Sequence, residues 1–489
     1  MHLLTTVTKS YQNYIDGRWV EASEKSLFES INPANAEDVL GSFQASGKED
    51  AGEAIRAAEK AFPGWAETPP SKRARILNQA ADHLENELEL IARELTREEG
   101  KILPASRQEV KRSADTLRFY AAEGLSFSGE TFPQDDFSSM VFTVREPLGV
   151  VTAITPWNFP LSIPARKIAP ALITGNTVVF KPSSVTPLMG LRLTEAFVKA
   201  GLPEGVLNFI TGSASKVGRS LVSDAAVKAV TFTGSTQAGK EIHNAVPLTT
   251  RTQMELGGKN PLIVLDDADL DLAVQLSVNG GFSLTGQACT GTSRVIVARA
   301  VQEEFTAKLV KKTEELKIGD GLSEGIQLGP LASQKQLENV LRYVEIGEKE
   351  GAVLRCGGRQ LTGEGYDKGF YVEPAVFTDV TPEMRIAQEE IFGPVISVLA
   401  VDSFEEAIRV ANGVEYGLSA SIVTRDVEKA HRFVRRIQSG TVKVNRTTTG
   451  NLIQAPFGGL KNSSTSTFRE SGRTGLEFFT QTKTVYYGY

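Results

Sequence analysis

Cysteine and histidine are scarce in this 489-residue sequence, which contains two cysteines and four histidines. Two cysteines cannot form a disulfide framework, and so few thiols are typical of proteins from a reducing cytosol. The histidines are far apart, and none has a second histidine or cysteine at metal-ligand spacing. The sequence therefore favours neither a zinc site nor a catalytic triad built on histidine.

Long apolar runs and an excess of positive charge are also missing. No run reaches the roughly 18 apolar residues that a membrane-spanning helix needs. Residues 1–20 lack the charged and apolar regions of a secretory signal. The net charge is −6 with both signs interleaved, which argues against a nucleic-acid or anionic-membrane partner. We expect a cytoplasmic protein with more than one domain, because the chain is too long for a single core.

Short β-rich runs alternate with helical patterns along most of the chain. A hairpin is predicted around Asp16-Gly17, and helical patterns follow, one of them covering residues 71–100 and ending at Gly100. From about residue 148, β-rich runs such as GVVTAIT and NTVVFKP are each followed by a helical stretch, and a second such alternation begins near NPLIVLDDADL. This pattern is typical of βαβ units and predicts two α/β domains that join near residues 255–262. Two β-prone segments outside both alternations, 125–147 and the tail KTVYYGY, are expected to pair with each other or with another subunit.

Cys289 lies in TGQACTGTSR, a stretch of small and hydroxylated residues. Gly286 and Gly291 flank it and Arg294 follows, so a loop there would provide the exposure and positive charge that a reactive thiolate needs. The alternative is a buried small hydrophobe, as many free cysteines are. Cys356, in GAVLRCGGRQ, has no comparable neighbours and is interpreted as structural.

Two other polar residues are candidates for chemistry at a carbonyl group. Asn158 lies between the two prolines of PWNFP, so a stiff backbone could present its amide to a developing oxyanion. Glu255 precedes a glycine pair in MELGGKNP at the expected domain join, where a carboxylate could serve as a general base. An ordinary turn asparagine and a strand-end glutamate are the alternatives.

Strand-to-helix junctions provide candidate cofactor-binding positions. In VKAVTFTGSTQAGKEI, the residues Gly234, Ser235 and Gly239 lie where free N–H groups at a helix start favour an anion. Lys181 ends the strand in NTVVFKP and could reach a ribose or phosphate at the edge of a parallel sheet. Glu390, in AQEEIFGPV, could hold ribose hydroxyls. Plain turns and a solvated lysine are the alternatives.

Five motifs occur together in one order: PWNFP, FTGS, ELGGKNP, GQAC and EEIFGP. That combination resembles the NAD(P)-dependent aldehyde dehydrogenase superfamily over nearly the whole chain. The resemblance implies a Rossmann-like cofactor domain, an α/β catalytic domain and a small β oligomerisation arm, in a homodimer or homotetramer. The expected limits are 1–124 and 148–255 for the cofactor domain, 256–455 for the catalytic domain, and 125–147 and 470–489 for the arm.

The resemblance also implies a role for each candidate residue. Cys289 matches the nucleophile that attacks an aldehyde, Asn158 the oxyanion donor, and Glu255 the base that activates water to release the acid. Because a CoA-acylating relative would be expected to lack that base, Glu255 favours a hydrolytic enzyme. NAD or NADP is the implied cofactor, and no metal is implied. The implied cofactor-binding residues are Trp157, Lys181, Ser183, Ser184, Gly234, Ser235, Gly239, Gly257, Glu390 and Phe392.

Two departures from the family pattern narrow the expected function. Many NAD-specific members have a glutamate three positions after the ribose-binding lysine, and here that residue is Ser184. A carboxylate would repel a 2′-phosphate, whereas Ser183 and Ser184 could hydrogen-bond one, so we expect NADP to be accepted. Arg166, at a position that is often aromatic, matches the substrate tunnel. A cation there suits an aldehyde with a remote carboxylate, and a surface or inter-helix salt bridge is the alternative.

Ile163 and Phe457 are the other two residues expected to contact the substrate. The segment QAPFGGLKNSSTSTFRESG resembles the branch that includes the 2,5-dioxopentanoate, or α-ketoglutaric semialdehyde, dehydrogenases. We therefore expect NAD(P)-dependent oxidation of a carboxylate-bearing semialdehyde such as α-ketoglutaric semialdehyde. A broad-specificity aliphatic or aromatic aldehyde dehydrogenase is the first alternative. A non-catalytic structural member of the superfamily is a more distant one.

Overall fold

The structure is a computed structural model that describes residues 9–135, 138–465 and 467–489. Residues 1–8, on which the expectation of no secretory signal partly rests, lie outside the described residues. No helix of the described ranges is long and apolar enough to cross a membrane.

Twenty-one strands are numbered here in chain order. They are β1 (Asn13–Ile15), β2 (Arg18–Val20), β3 (Leu27–Asn32), β4 (Asn35–Gln44), β5 (Thr131–Phe132), β6 (Ser139–Pro147), β7 (Val150–Ile154), β8 (Thr177–Lys181), β9 (Leu207–Phe209), β10 (Val227–Thr233), β11 (Arg251–Glu255), β12 (Asn260–Val264), β13 (Thr292–Ala298), β14 (Val353–Cys356), β15 (Ala375–Thr378), β16 (Val395–Val401), β17 (Tyr416–Gly417), β18 (Ser419–Val423), β19 (Thr441–Val444), β20 (Leu460–Lys461) and β21 (Thr480–Gly488).

Fifteen α-helices are numbered in the same way. They are α1 (Lys48–Ala66), α2 (Pro70–Asn86), α3 (Leu88–Glu99), α4 (Leu103–Ser126), α5 (Ser162–Ile173), α6 (Pro187–Lys199), α7 (Arg219–Ser223), α8 (Thr236–Ala245), α9 (Leu270–Phe282), α10 (Gln302–Glu314), α11 (Gln334–Lys349), α12 (Arg385–Gln388), α13 (Phe404–Asn412), α14 (Val427–Arg436) and α15 (Thr474–Phe478).

Two seven-stranded sheets form the framework. The first has the order β11-β10-β7-β8-β9-β1-β2, in which β11 to β9 are parallel and the hairpin β1-β2 adds antiparallel strands at one edge. The second has the order β14-β15-β16-β13-β12-β18-β19 and is parallel except for β14. The predicted α/β class is confirmed.

The parallel strands are buried on both faces, which explains their apolar composition. Val151 and Phe180 point into the core shared with α5 and α6, whereas Val150 and Val179 point into the core shared with α1. Successive side chains of a strand alternate between its faces, so β-branched residues at every position suit a sheet covered by helices on both sides. The carboxyl ends of β7, β8, β10 and β11 therefore meet at one edge of the first sheet.

The long helical pattern of residues 71–100 forms two helices. Glu87 lies between α2 and α3 with φ −103° and ψ 15°, outside the helical range. The apolar stripe continues through both helices, so periodicity alone does not reveal the break. The predicted end is confirmed, because Gly100 has φ 97°, a left-handed conformation that suits glycine.

A third sheet joins the two β-prone segments that lie outside the alternations. β21 pairs antiparallel with β6, from Thr480 opposite Pro147 to Gly488 opposite Ser139, and β5 lies on the other side of β6. The chain just before β21 does not pack with this third sheet. Leu476 in α15 is buried in the core under the first sheet.

Candidate active site

The loop after β7 carries Asn158 and holds it in a buried position. Its Nδ2 donates to the carbonyl oxygen of Gln287 over 2.9 Å, and its own carbonyl oxygen accepts from Lys101 Nζ over 2.7 Å. Gln287 is two residues before Cys289 in the chain. The structure thus places the Asn158 amide against the loop that carries the thiol.

The Cys289 loop lies between α9 and β13 and has a constrained backbone. Leu284 and Thr285 have positive φ, and a Cβ on Gly286 would lie 2.2 Å from the Gly393 oxygen. Asn260 Nδ2 donates to the Cys289 carbonyl oxygen over 2.8 Å. The Cys289 residue is partly exposed and borders two cavities at once.

The Cys289 thiol is not activated by a neighbouring cation in the way its sequence suggested. Burial raises its pKa to about 12, the charge of Glu390 adds to this, and Arg166 opposes it. Arg294 is fully buried, and its guanidinium donates to the carbonyl oxygens of Lys259, Val410 and Ala411. Arg294, which follows Cys289 in the chain, thus binds backbone carbonyl oxygens, and Arg166 is the cation whose charge acts on the thiol.

The first of the two cavities has a volume of about 270 Å³ and contains the predicted substrate residues. Ile163 and Arg166 reach it from α5, and Phe457 reaches it from the C-terminal segment. The Arg166 guanidinium carbon lies 5.6 Å from the centre of the Phe457 ring. Glu255 borders the same cavity, so the predicted base, nucleophile and substrate residues meet in one space.

Glu255 ends β11, and its side chain is buried without a hydrogen-bond partner for either oxygen among the described residues. Burial raises its pKa well above the ordinary value, and the charge of Glu470 raises it further, while Lys167 lowers it. A carboxyl group whose pKa is raised holds a proton more readily and is suited to exchanging protons with water.

Glu470 and Lys167 form a buried ion pair beside Glu255 that sequence reasoning missed. Lys167 also donates to Thr231 Oγ1 over 2.9 Å, and Arg166 Nη1 lies 3.7 Å from Glu470 Oε2. Arg166 therefore borders the cavity and also forms a salt bridge, although its partner Glu470 lies in the segment before α15 and not on a helix. In the sequence, Glu470 stands out only as the single acidic residue of FRESG. No local pattern reveals that it packs against Lys167.

The second cavity, of about 210 Å³, lies on the other side of Cys289 and contains predicted cofactor residues. The rings of Trp157 and Phe392 meet edge to face, with centres 5.4 Å apart. Gly234 and Ser235 line it at the start of α8. The lining residues are Pro156, Trp157, Asn158, Thr233, Gly234, Ser235, Leu256, Gly257, Cys289, Gln336, Glu390 and Phe392.

The polar groups of this second cavity fit a nucleotide. Glu390 accepts from the Gly258 N–H over 2.8 Å, and burial raises its pKa to about 7. A Cβ on Gly257 would lie 2.4 Å from the Glu390 carboxylate, so glycine is required for that approach. Thr233 Oγ1 is buried without a partner in the described part of the chain. An unpartnered hydroxyl, a carboxylate and an aromatic pair are groups that a ribose and a nicotinamide ring would engage.

The remaining predicted cofactor residues lie outside that cavity. Lys181 is buried at the end of β8, donates to the Pro182 oxygen over 2.9 Å, and has its pKa lowered by burial to about 8. Ser184 donates to the Gly212 oxygen over 2.9 Å, and Ser183 accepts from the Val185 N–H. Gly239 packs against Leu256, whose Cδ2 would lie 2.5 Å from an added Cβ, so the structure provides a packing reason for this glycine.

Comparison with protein-family models matches residues 19–485 to the model described as aldehyde dehydrogenase family. The chain is 46% identical over 482 residues to alpha-ketoglutaric semialdehyde dehydrogenase of Bacillus subtilis, covering 98% of this chain and 99% of that protein. It is also 46% identical over 484 residues to 2,5-dioxopentanoate dehydrogenase of Saccharolobus solfataricus, covering 98% and 100%.

Among solved structures, the fold matches the crystal structure of betaine aldehyde dehydrogenase from Staphylococcus aureus in complex with NAD+. The TM-score is 0.95 and the identity 36%, over 98% of this chain and 95% of that one.

Proposed function

The chain belongs to the aldehyde dehydrogenase family, and from that membership we propose that it oxidises α-ketoglutaric semialdehyde to the dicarboxylic acid with NAD or NADP. It is an NAD(P)-dependent aldehyde dehydrogenase. One observation supports the choice of a carboxylate-bearing substrate. Arg166 borders the same cavity as Cys289 and Glu255, so a cation faces the space where an aldehyde would meet the thiol.

The first chemical step uses Cys289 and Asn158. The sulfur attacks the aldehyde carbon, and the carbonyl oxygen becomes negatively charged. Asn158 Nδ2 carries two N–H groups, of which one donates to Gln287, so the other is available to the oxyanion together with the Cys289 backbone N–H. Because the pKa of the thiol is raised to about 12, its proton must pass to a water molecule at the cavity as the carbon–sulfur bond forms.

The second step belongs to Glu255. A nicotinamide bound beside Trp157 and Phe392 would accept the hydride that leaves the former aldehyde carbon, and Cys289 would then be acylated. Glu255 then takes a proton from water, the hydroxide adds to the thioester carbon, and the carbon–sulfur bond breaks to release the acid and the thiol. Its carboxylate is free of hydrogen bonds to the described residues, which keeps both oxygens available to water.

Use of both cofactors is supported by the groups around Lys181. No carboxylate contributes to the pKa of Lys181, and Ser183 and Ser184 occupy the next polar positions. A 2′-phosphate would therefore meet a cation and two hydroxyls rather than a negative charge.

A homodimer or homotetramer in the cytoplasm is part of the same proposal. The exposed β21 tyrosines support the assembly, and the two unpaired cysteines support the cytoplasm.

The contact of Arg166 with Glu470 supports a second candidate, a broad-specificity aldehyde dehydrogenase. If this ion pair at 3.7 Å neutralises the guanidinium, the cavity would favour no charged substrate. In that case uncharged aliphatic or aromatic aldehydes would react as well as semialdehydes of equal length.

The two candidates differ in the rates of five-carbon aldehydes that share a chain length. We expect kcat/KM for α-ketoglutaric semialdehyde to exceed that for pentanal by about 100-fold, the effect of one well-placed charge pair. Steady-state assays with each cofactor measure this.

The Cys356→Ser variant should keep the activity and Cys289→Ser should lose it. Equal values for both aldehydes would support broad specificity, and an NADP value more than about 100-fold below NAD would contradict dual cofactor use.

A further inference from the structure

Two guanidinium groups, rather than one, border the cavity that contains the Cys289 thiol. Gln108 and Arg112 reach it from α4, and Ile163 and Arg166 reach it from α5. On each helix the spacing of three or four residues places these side chains on one face. The sequence singled out Arg166 alone, because α4 is far from it in the chain.

The two arginines differ in how their charges are compensated. Arg166 lies 3.7 Å from Glu470 and over the Phe457 ring. Arg112 forms no ion pair with any described residue, and it donates one Nη2 N–H to the Asn451 carbonyl oxygen. Burial lowers its pKa, and so does the positive charge of Arg166, with weaker opposition from Asp115 and Glu109. Arg112 is thus a half-buried cation that faces a second cation.

The position of Arg112 is fixed by a segment that lines the same cavity. Asn451 belongs to this segment, together with Thr449 and Gly450. Lys443 holds it from the other side, because its Nζ donates to the carbonyl oxygens of Thr449 over 2.6 Å and of Gly450 over 2.7 Å. A guanidinium has five N–H groups, so Arg112 keeps donors for a ligand while this contact restrains it.

We propose that Arg112 is a specificity-determining residue that binds the carboxylate end of the aldehyde together with Arg166. The proposal rests on the proposed function and adds the second cation. A carboxylate between two guanidinium groups relieves their mutual repulsion and accepts paired hydrogen bonds. An uncharged aldehyde would leave both positive charges facing each other without an anion.

Glutaric semialdehyde and pentanal test this, because both have five carbons and differ in the carboxylate at the far end. In Arg112→Met, we expect kcat/KM for glutaric semialdehyde to fall at least about 30-fold more than the value for pentanal, since a desolvated charge pair loses one partner. Arg112→Lys should restore part of the difference. Lys111→Met is the matched control. Lys111 is exposed on the same helix, and its replacement removes the same charge.

The outcomes separate this proposal from the proposed function. If Arg112→Met keeps the wild-type ratio while Arg166→Met loses it, Arg166 acts alone and the proposal is overturned. If both substrates fall equally in Arg112→Met, the residue only holds the Thr449–Asn451 segment, which also overturns it. If the wild type shows no preference for the carboxylate, the proposed substrate class fails and the proposal fails with it.

Discussion

At the scale of single residues, the burial of Glu255 is the feature with the clearest consequences. Its carboxyl group has no hydrogen-bond partner among the described residues and lies near the negative charge of Glu470. Such a group is costly to keep charged, and groups of this kind cluster at functional sites. Its place at the same cavity as Cys289 fits the proposed role in proton transfer during release of the acid.

Replacing this carboxyl group by an amide separates the two halves of the reaction. In Glu255→Gln, Cys289 and Asn158 are unchanged, so one equivalent of NAD(P)H should form rapidly, whereas turnover should fall by about 100-fold or more because water loses its base. Stopped-flow absorbance of NAD(P)H measures both phases. Cys289→Ser should lose the burst as well. A variant with wild-type steady-state rate would refute the role.

The raised pKa of Glu255 also predicts the pH dependence of turnover. Below its pKa the group is protonated and cannot accept a proton from water, so kcat should fall as the pH is lowered. Because burial and Glu470 raise the pKa, the fall should be centred above 4.5, the ordinary value for a glutamate. A profile of kcat that stays flat down to pH 5 would contradict this assignment.

At the scale of elements, one carboxylate joins α4 to the start of α5. Glu109 Oε1 accepts from the Leu161 and Ser162 N–H groups over 3.0 and 3.1 Å, and Oε2 accepts from Lys101 Nζ over 2.6 Å. Lys101 in turn donates to the Asn158 oxygen. The first N–H groups of a helix have no partner within it, so Glu109 supplies one and helps to position the loop that carries Asn158.

We expect Glu109→Gln to destabilise the protein by about 3 kcal/mol, because it leaves the buried Lys101 ammonium without its closest carboxylate. The urea dependence of unfolding, followed by fluorescence, measures the change. Glu89→Gln is the matched control, since the Glu89–Arg107 pair is exposed and should contribute much less to stability. Equal stabilities of the two variants would show that the Glu109 network contributes little.

Individual elements show which parts of the fold the sequence patterns predict. Alternating β-rich and helical runs predicted both sheets, because parallel strands buried on two faces have a distinctive apolar composition. The strands β3 (Leu27–Asn32) and β4 (Asn35–Gln44) were not predicted, since most of their side chains are polar or partly exposed. The break at Glu87 was also missed, for it depends on how α2 and α3 pack rather than on a helix-breaking residue.

At the scale of the whole molecule, the third sheet presents an extended surface. β21 follows β6 over nine residue pairs, and the side chains of Tyr486, Tyr487 and Tyr489 are 77%, 56% and 82% exposed. Exposed aromatic side chains on a strand are typical of surfaces that contact another subunit.

A chain that ends at Thr482 should therefore assemble into smaller particles than the full chain. This truncation removes the exposed tyrosines but keeps Thr480, whose carbonyl oxygen accepts from Arg251 over 2.7 Å. Sedimentation velocity measures the mass of the particles, and circular dichroism checks that the fold remains. The same mass for both chains would show that the tail is dispensable for assembly.

The sequence by itself determined the family, the α/β class and the reaction type. Those features depend on short motifs and on the periodicity of single elements, which are properties of neighbouring residues. Only the tertiary structure decided that Arg112 and Glu470 share a cavity with Cys289 and that Arg294 does not. Such contacts depend on which faces of distant elements pack together. The sequence does not distinguish an arginine whose guanidinium binds backbone carbonyl groups from one whose guanidinium borders a substrate cavity.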